Sequence, residues 1–221
     1  MTNGWIKTIA LINKCNKIYP MNTKTKNIVL ALFREHGPIL RTREILELGV
    51  HPRTLYELRD SGDLVRMSRG IYCLPESAEM GLQEIAATAL RAPQGVVCLV
   101  SALSFHNITT EIPRAVYLAL PRPKTAPRID YPPVRIFTFA RDAYDAGIEE
   151  HDVEGVKVKI YDPAKTVVDC FKFRNRIGLD VAIEALRFCT ERRSIPPRVF
   201  LDYARTCRVE RVMMPYLEAL A

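Results

Sequence analysis

The side chains best suited by type and spacing to do chemistry are arginines in the first third of the chain. Arg53, Thr54 and Tyr56 open a segment that Pro52 starts as a helix, and Arg66 and Arg69 lie about the turn Ser68-Arg69-Gly70. A guanidinium pairs bidentately with guanine or phosphate and a threonine methyl touches thymine, so this set suits duplex recognition rather than bond cleavage. Glu57 and Asp60 share the outward face and oppose phosphate, which leaves an ordinary solvated polar face as the alternative reading.

Bond-breaking constellations are weaker. A nuclease centre asks for an aspartate with a Glu-x-Lys pair, whereas Asp152, Glu154 and Lys157 carry Glu-x-x-Lys spacing. In an alternating strand that offset sends the lysine to the opposite face, and Glu154-Gly155 predicts a turn. The glycine turn and Asp-x-Asp pair of a nucleotidyltransferase are absent, as is a Gly-rich phosphate loop. Ser101, His106 and Asp169 are too generic for a hydrolytic triad. His106 reads instead as a helix-terminal or core histidine with a hydrogen-bond partner. Asp169, on an otherwise apolar helix face, is expected to be buried against an arginine. Six cysteines are far apart without Cys-x-x-Cys spacing, and four scattered histidines supply no ligand cluster. No catalytic residue, cofactor or metal is therefore assigned, and the chain is not expected to be an enzyme; a nuclease-like nucleic-acid enzyme remains the lesser alternative.

Formal net charge is +7 over 221 residues, and it is unevenly placed. Through Pro75, 12 Lys or Arg face 6 Asp or Glu; from Glu76 onward, 20 face 19. The positive field thus belongs to the first third, where it supplies the phosphate-neutralising part of nucleic-acid affinity. The longest apolar runs are too short for a membrane helix. Lys7 interrupts the Trp5–Ile12 stretch and no small-residue cleavage site follows, so the expected location is the cytoplasm. Trp5, Ile6, Ile9 and Ile12 have helix-like spacing, broken by Pro20, and Met21 directly before a well-formed helical pattern suggests a natural translation start.

The elements that must position the arginines form a recognisable order. A helix over Thr23–His36 ends at Gly37-Pro38, which favours a left-handed cap and then forbids continuation. Ile39-Leu40 makes a short strand. Thr42 is the expected N-cap of a helix over Arg43–Leu48, with Glu44 in its first turn, and Gly49-Val50 makes the turn. Pro52 opens the next helix, where its missing N–H costs nothing. Its Leu55 and Leu58 project inward, with His51 near them. Leu64–Met67 and Gly70–Leu74 alternate as hairpin strands, with Gly70 suited to the left-handed turn position. This order predicts a winged helix-turn-helix over residues 22–76, preceded by an extension over 1–21. In that motif the first turns of the second helix approach base edges and the wing approaches phosphate. The expected DNA-contacting set is Arg41, Thr42, Arg43, His51, Arg53, Thr54, Tyr56, Arg59, Arg66, Ser68 and Arg69.

Residues 77–221 predict a larger mixed domain. Helices are expected over Gly81–Arg91 and Ser101–His106, then strands over Ala115–Leu120 and Val134–Phe139. The proline-rich basic run Pro121–Arg128 between them is an exposed loop that is either solvated or in contact with nucleic acid. A hairpin through His151–Gly155 leads into a strand over Val156–Ile160. Helices then follow over Pro163–Arg174, with Asp162 as N-cap, Leu179–Thr190, Pro197–Cys207 and Val209–Leu220. The fold class is α+β: a winged N-terminal domain, then a larger α+β domain with a small sheet and a helical C-terminal part.

The segments Leu40-Arg-Thr-Arg-Glu, Gly49-Val, Leu55-Tyr-Glu-Leu-Arg, Ser61-Gly-Asp-Leu-Val-Arg and Arg69-Gly-Ile-Tyr-Cys-Leu-Pro75 together resemble the N-terminal winged domain of AbiEi-type antitoxins. Further on, Leu99–Ile108 resembles that family's Ser-Ala-Leu-x-x-His-Gly-Leu segment, and Val158–Cys170 its strand-to-helix segment before Asp-Cys. The resemblance covers most of the chain after Lys24, and Asn107 stands where glycine is usual, a change expected to alter only a helix end. It implies a transcriptional autorepressor and antitoxin of a type IV toxin–antitoxin phage-defence system that binds promoter inverted repeats. Implied partners are double-stranded DNA, a second copy of the chain on DNA, and a nucleotidyltransferase-like toxin as functional partner without obligatory contact. A winged regulator outside any toxin pair is the alternative.

Overall fold

The computed structural model describes residues 23–75, 80–123 and 127–220. The expectations for residues 1–20, the start at Met21 and most of the join after Pro75 lie outside them. Two compact units divide the chain: one runs up to Leu90 and includes Asp152–Val156, and the other comprises Arg91–His151 with Lys157–Ala221. The sequence set the division after residue 76; the helix that follows groups with the first unit.

In the first unit, α1 (Thr23–His36) buries Ile28, Val29, Leu32 and Phe33, the i, i+1, i+4, i+5 spacing of one helical stripe. The Gly37 N–H closes it on the Phe33 carbonyl at 3.1 Å. The next elements are β1 (Ile39–Arg41), α2 (Thr42–Glu47), α3 (Pro52–Asp60), β2 (Val65–Ser68) and β3 (Ile71–Cys73), then α4 (Met80–Arg91). The three strands form an antiparallel sheet in the order β1-β3-β2. A register irregularity between Arg66 and Ser68 interrupts the β2–β3 ladder and twists the hairpin where the arginines lie. Leu40, Ile45, Val50, Leu55, Leu58, Leu64 and Tyr72 join the α1 stripe in one core. Leu55 and Leu58 are wholly buried, and losing either side chain to alanine costs roughly 2–5 kcal/mol.

The second unit is built on a five-stranded sheet in the order β6-β5-β4-β8-β7. The strands are β4 (Val96–Val97), β5 (Val116–Pro121), β6 (Val134–Phe139), β7 (Ile148–Val153) and β8 (Val156–Tyr161). β4 runs antiparallel to β5 and parallel to β8, while β5 and β6 are parallel over six residue pairs. The interior strand β5 is buried throughout, as a strand covered on both faces must be. The helices are α5 (Leu99–Phe105), α6 (Arg141–Asp145), α7 (Pro163–Lys172), α8 (Arg174–Ile177), α9 (Leu179–Glu191), α10 (Pro197–Cys207) and α11 (Glu210–Glu218). β4, α6, α8 and most of β7 are absent from the sequence expectation, being short or polar.

Asp162 caps α7 as expected, its Oδ1 accepting from the Lys165 N–H at 2.8 Å. The end of α5 explains Asn107. Asn107 has φ of +54°, its N–H reaches the Ser104 carbonyl, and the Ile108 N–H reaches the Leu103 carbonyl at 2.8 Å. That is the Schellman arrangement, whose left-handed position asparagine tolerates better than other side chains bearing a Cβ.

Candidate nucleic-acid interface

Helix α3 is set by its first residues. Pro52 begins it, and the His51 side chain accepts a hydrogen bond from the Arg53 N–H at 3.2 Å. His51 is thus an exposed cap rather than a neighbour of the buried leucines. Arg53 and Tyr56 are exposed and Thr54 half-buried on the same helix, while Leu55 and Leu58 anchor the opposite face. The hairpin follows from sequence just as directly: Gly70, with φ of +79°, takes the conformation that a Cβ disfavours, and Arg66 and Arg69 on either side are exposed.

The two surfaces differ in charge. Arg53 Nε pairs with Glu57 at 2.9 Å, Arg43 with Glu47 at 2.7 Å and Arg59 with Asp60 at 2.6 Å. Arg59 also lies 5.2 Å from the Tyr56 ring centroid. Lys26, together with the Ser61 hydroxyl, holds the Asp63 carboxyl below its ordinary range. Each of these cations already faces an acid. On the hairpin, by contrast, Arg66 reaches the Ser68 carbonyl at 3.4 Å, and neither it nor Arg69 has an ion-pair partner among the described residues. The segment Leu64–Leu74 contains no Asp or Glu. Exposed pairs contribute about 0–1 kcal/mol, so those on the helices are weakly held, whereas the hairpin arginines carry no such pair among the described residues.

The expected N-cap at Thr42 is corrected, and two expected contact residues, Arg41 and Ser68, are engaged or buried within the unit. The N-cap of α2 is Arg41, whose N–H donates to the Glu44 carboxylate at 2.7 Å; Thr42 is the first helical residue and its N–H meets the Gly70 carbonyl at 2.9 Å. The Arg41 guanidinium donates to the Leu90 carbonyl at the end of α4, so its fork is engaged inside the unit. Ser68 is buried, its hydroxyl turned from solvent by the irregularity in β2.

Between β7 and β8, Asp152 and Glu154 lie in the expected turn: Asp152 Oδ1 accepts from the Gly155 N–H at 3.0 Å. Glu154 and Gly155 both have positive φ, the backbone of a tight two-residue hairpin. In the second unit Asp169 is wholly buried, but its partner is Lys165 at 2.6 Å rather than an arginine. One helical turn separates the two, a spacing that was visible in the sequence. Burial pushes the Asp169 carboxyl up while Lys165 opposes the shift. The Lys165 ammonium lies 3.9 Å from the Tyr161 ring centroid, and Cys207 Sγ approaches Asp169 Oδ1 at 3.6 Å. Both ions are therefore satisfied, and nothing in the cluster is open to a substrate.

His106 is buried at the end of α5 with Nε2 at 2.8 Å from the Tyr161 carbonyl, as a helix-terminal histidine with a partner was expected to be. Burial lowers its pKa, so the fold favours the neutral ring; that stabilisation is complete above the ordinary histidine value and is lost as pH falls through the lowered one. The expectation that the histidines form no ligand cluster does not hold. His106, Glu149 and His151 each bring one ligand atom within 4.8 Å of the others. The missed signal was Glu149-x-His151, which on a strand places both side chains on one face; recruitment of His106 is a product of the tertiary fold.

These features define a two-unit α+β protein with a cationic hairpin and an exposed polar helix in its first unit. Residues 27–75 match the family model described as "Transcriptional regulator, AbiEi antitoxin"; the match ends before the second unit. The RV2827C protein from Mycobacterium tuberculosis has a similar fold, with 14% identity, a TM-score of 0.56, and coverage of 90% of this chain and 82% of that one. No curated protein matches the chain. No helix among the described residues is long and apolar enough to cross a membrane.

Proposed function

We propose that the first unit is a winged helix-turn-helix and that the protein is a cytoplasmic, DNA-binding autorepressor and antitoxin of a type IV toxin–antitoxin system. The observation that carries this is the family match over residues 27–75, which spans most of α1, then α2, α3 and the arginine-bearing hairpin. In this reading α3 enters the major groove, where Arg53, Thr54 and Tyr56 meet base edges. Arg43 and Arg59 exchange their acids for phosphate, and Arg66 and Arg69 neutralise phosphates directly. Two copies bind an inverted repeat, each covering one half-site. The second unit carries neutralisation of a nucleotidyltransferase-like toxin, without direct contact being required. Gel-shift titration of the full chain with its own promoter, against a scrambled duplex of equal length, tests the DNA half. Preference for the promoter is expected, and equal affinity for both duplexes overturns it.

The end of the family match at Pro75 favours a second reading, a regulator without a toxin. Co-expression with the neighbouring gene separates the two: rescue of growth from a toxic neighbour supports the antitoxin, and a harmless neighbour supports the stand-alone regulator.

A further inference from the structure

We propose that His106, Glu149 and His151 form a binding site for one divalent transition-metal ion of the zinc class, within the second unit and independent of DNA binding. Two imidazoles and a carboxylate are the ligand set that zinc takes where it keeps one position for solvent. Hard cations such as magnesium and calcium prefer all-oxygen sets.

The geometry lies close to what coordination requires. The three ligand atoms sit within 4.8 Å of one another, and His151 Nε2 is already 3.0 Å from Glu149 Oε2. Tetrahedral bonds of zinc length put ligand atoms roughly 3.3 Å apart, so closure needs only side-chain movement. Glu149 and His151 have the freedom for it, with side chains 47% and 30% exposed. His106 supplies the fixed corner. Its Nε2–H donates to the Tyr161 carbonyl, which leaves Nδ1 as the nitrogen with a lone pair. A ligating histidine held by a backbone carbonyl through its other nitrogen is the usual outer-shell arrangement of zinc sites, and it fixes both tautomer and ring orientation.

The surroundings favour an ion as well. Phe105 packs edge-on against both imidazoles, with ring centroids 5.2 and 5.0 Å away, and so shields one side from water. Arg193, which donates to the His106 carbonyl, is the opposing charge, and Glu149 offsets it. The bound ion ties β7 to the end of α5, two elements far apart in sequence.

The test is zinc titration of metal-free full-length protein by competition with a chromophoric chelator, with cobalt(II) substitution as the spectroscopic readout. One ion per chain and a cobalt spectrum of low coordination number are expected. Glu149→Gln and His151→Ala, both at accessible side chains, each weaken binding at least about tenfold, with the far-UV circular dichroism unchanged. Cys15→Ser leaves binding intact, which excludes a thiol in the N-terminal segment as the ligand. No saturable binding by the wild-type chain, or undiminished binding in both ligand variants, overturns the proposal. Promoter binding by the same two variants reads the winged-helix proposal separately.

Discussion

The first unit and the second hold their charges in opposite ways. Around α3 the guanidinium–carboxylate pairs are open to solvent, with Arg53 and Glu57 side chains 50% and 35% accessible. At the heart of the second unit Lys165 and Asp169 are both 0% accessible. Water screens the former, so the pairs are weak and their arginines can be surrendered to another anion. The latter has no alternative partner: each ion is out of water only because the other is there. One arrangement suits a surface that must let go; the other suits a core that must not.

The sharpest way to break that comparison is to unpair the core. Asp169→Ala, which leaves the Lys165 ammonium buried alone, is expected to lower unfolding free energy by about 3–5 kcal/mol in urea titration. The double change Lys165→Met with Asp169→Leu should recover more than half of that deficit, because no lone ion remains. A double variant no better than the single one would show that the pair itself, rather than avoidance of an unpaired ion, carries the stability.

At the surface the scale falls. Arg53→Ala should reduce discrimination between the promoter and a scrambled duplex by about 1–3 kcal/mol, read by gel shift at fixed salt, with little change in thermal stability. Arg66→Ala and Arg69→Ala should weaken binding to both duplexes alike and flatten the dependence of log affinity on log salt by about 0.9 for each phosphate left unneutralised. Smallest is Glu57→Gln, which releases Arg53 from its acid. Stability should change by less than about 0.5 kcal/mol while affinity for duplex rises; lower affinity would place Glu57 among the DNA-facing groups rather than as a competitor.

Much of the first unit was legible because its signals are local. Gly37-Pro38, Pro52 and Gly70 fix where elements start and stop through their own backbone limits, and the Ile28, Leu32 stripe needs only helical periodicity. The exposed arginines follow once α3 and the hairpin are placed. The placements of Arg41 and Ser68 were not legible for one reason: local sequence does not reveal where a guanidinium finds a carbonyl, or that a hydroxyl beside an irregular ladder is buried. In the second unit, β4 with two residues and the five-residue α6 carry too little periodicity to be noticed alone; their neighbours define them.

Composition and local pattern alone decided that this chain has a basic first third, helix ends at given residues, a capped α7 and an Asn-terminated α5. Those outcomes depend on interactions within a turn or two of chain. The folded molecule decided that Arg41 closes on the end of α4 and that His106 meets Glu149 and His151. Such pairings bring together groups on different elements or choose among several available partners, and only packing makes that choice.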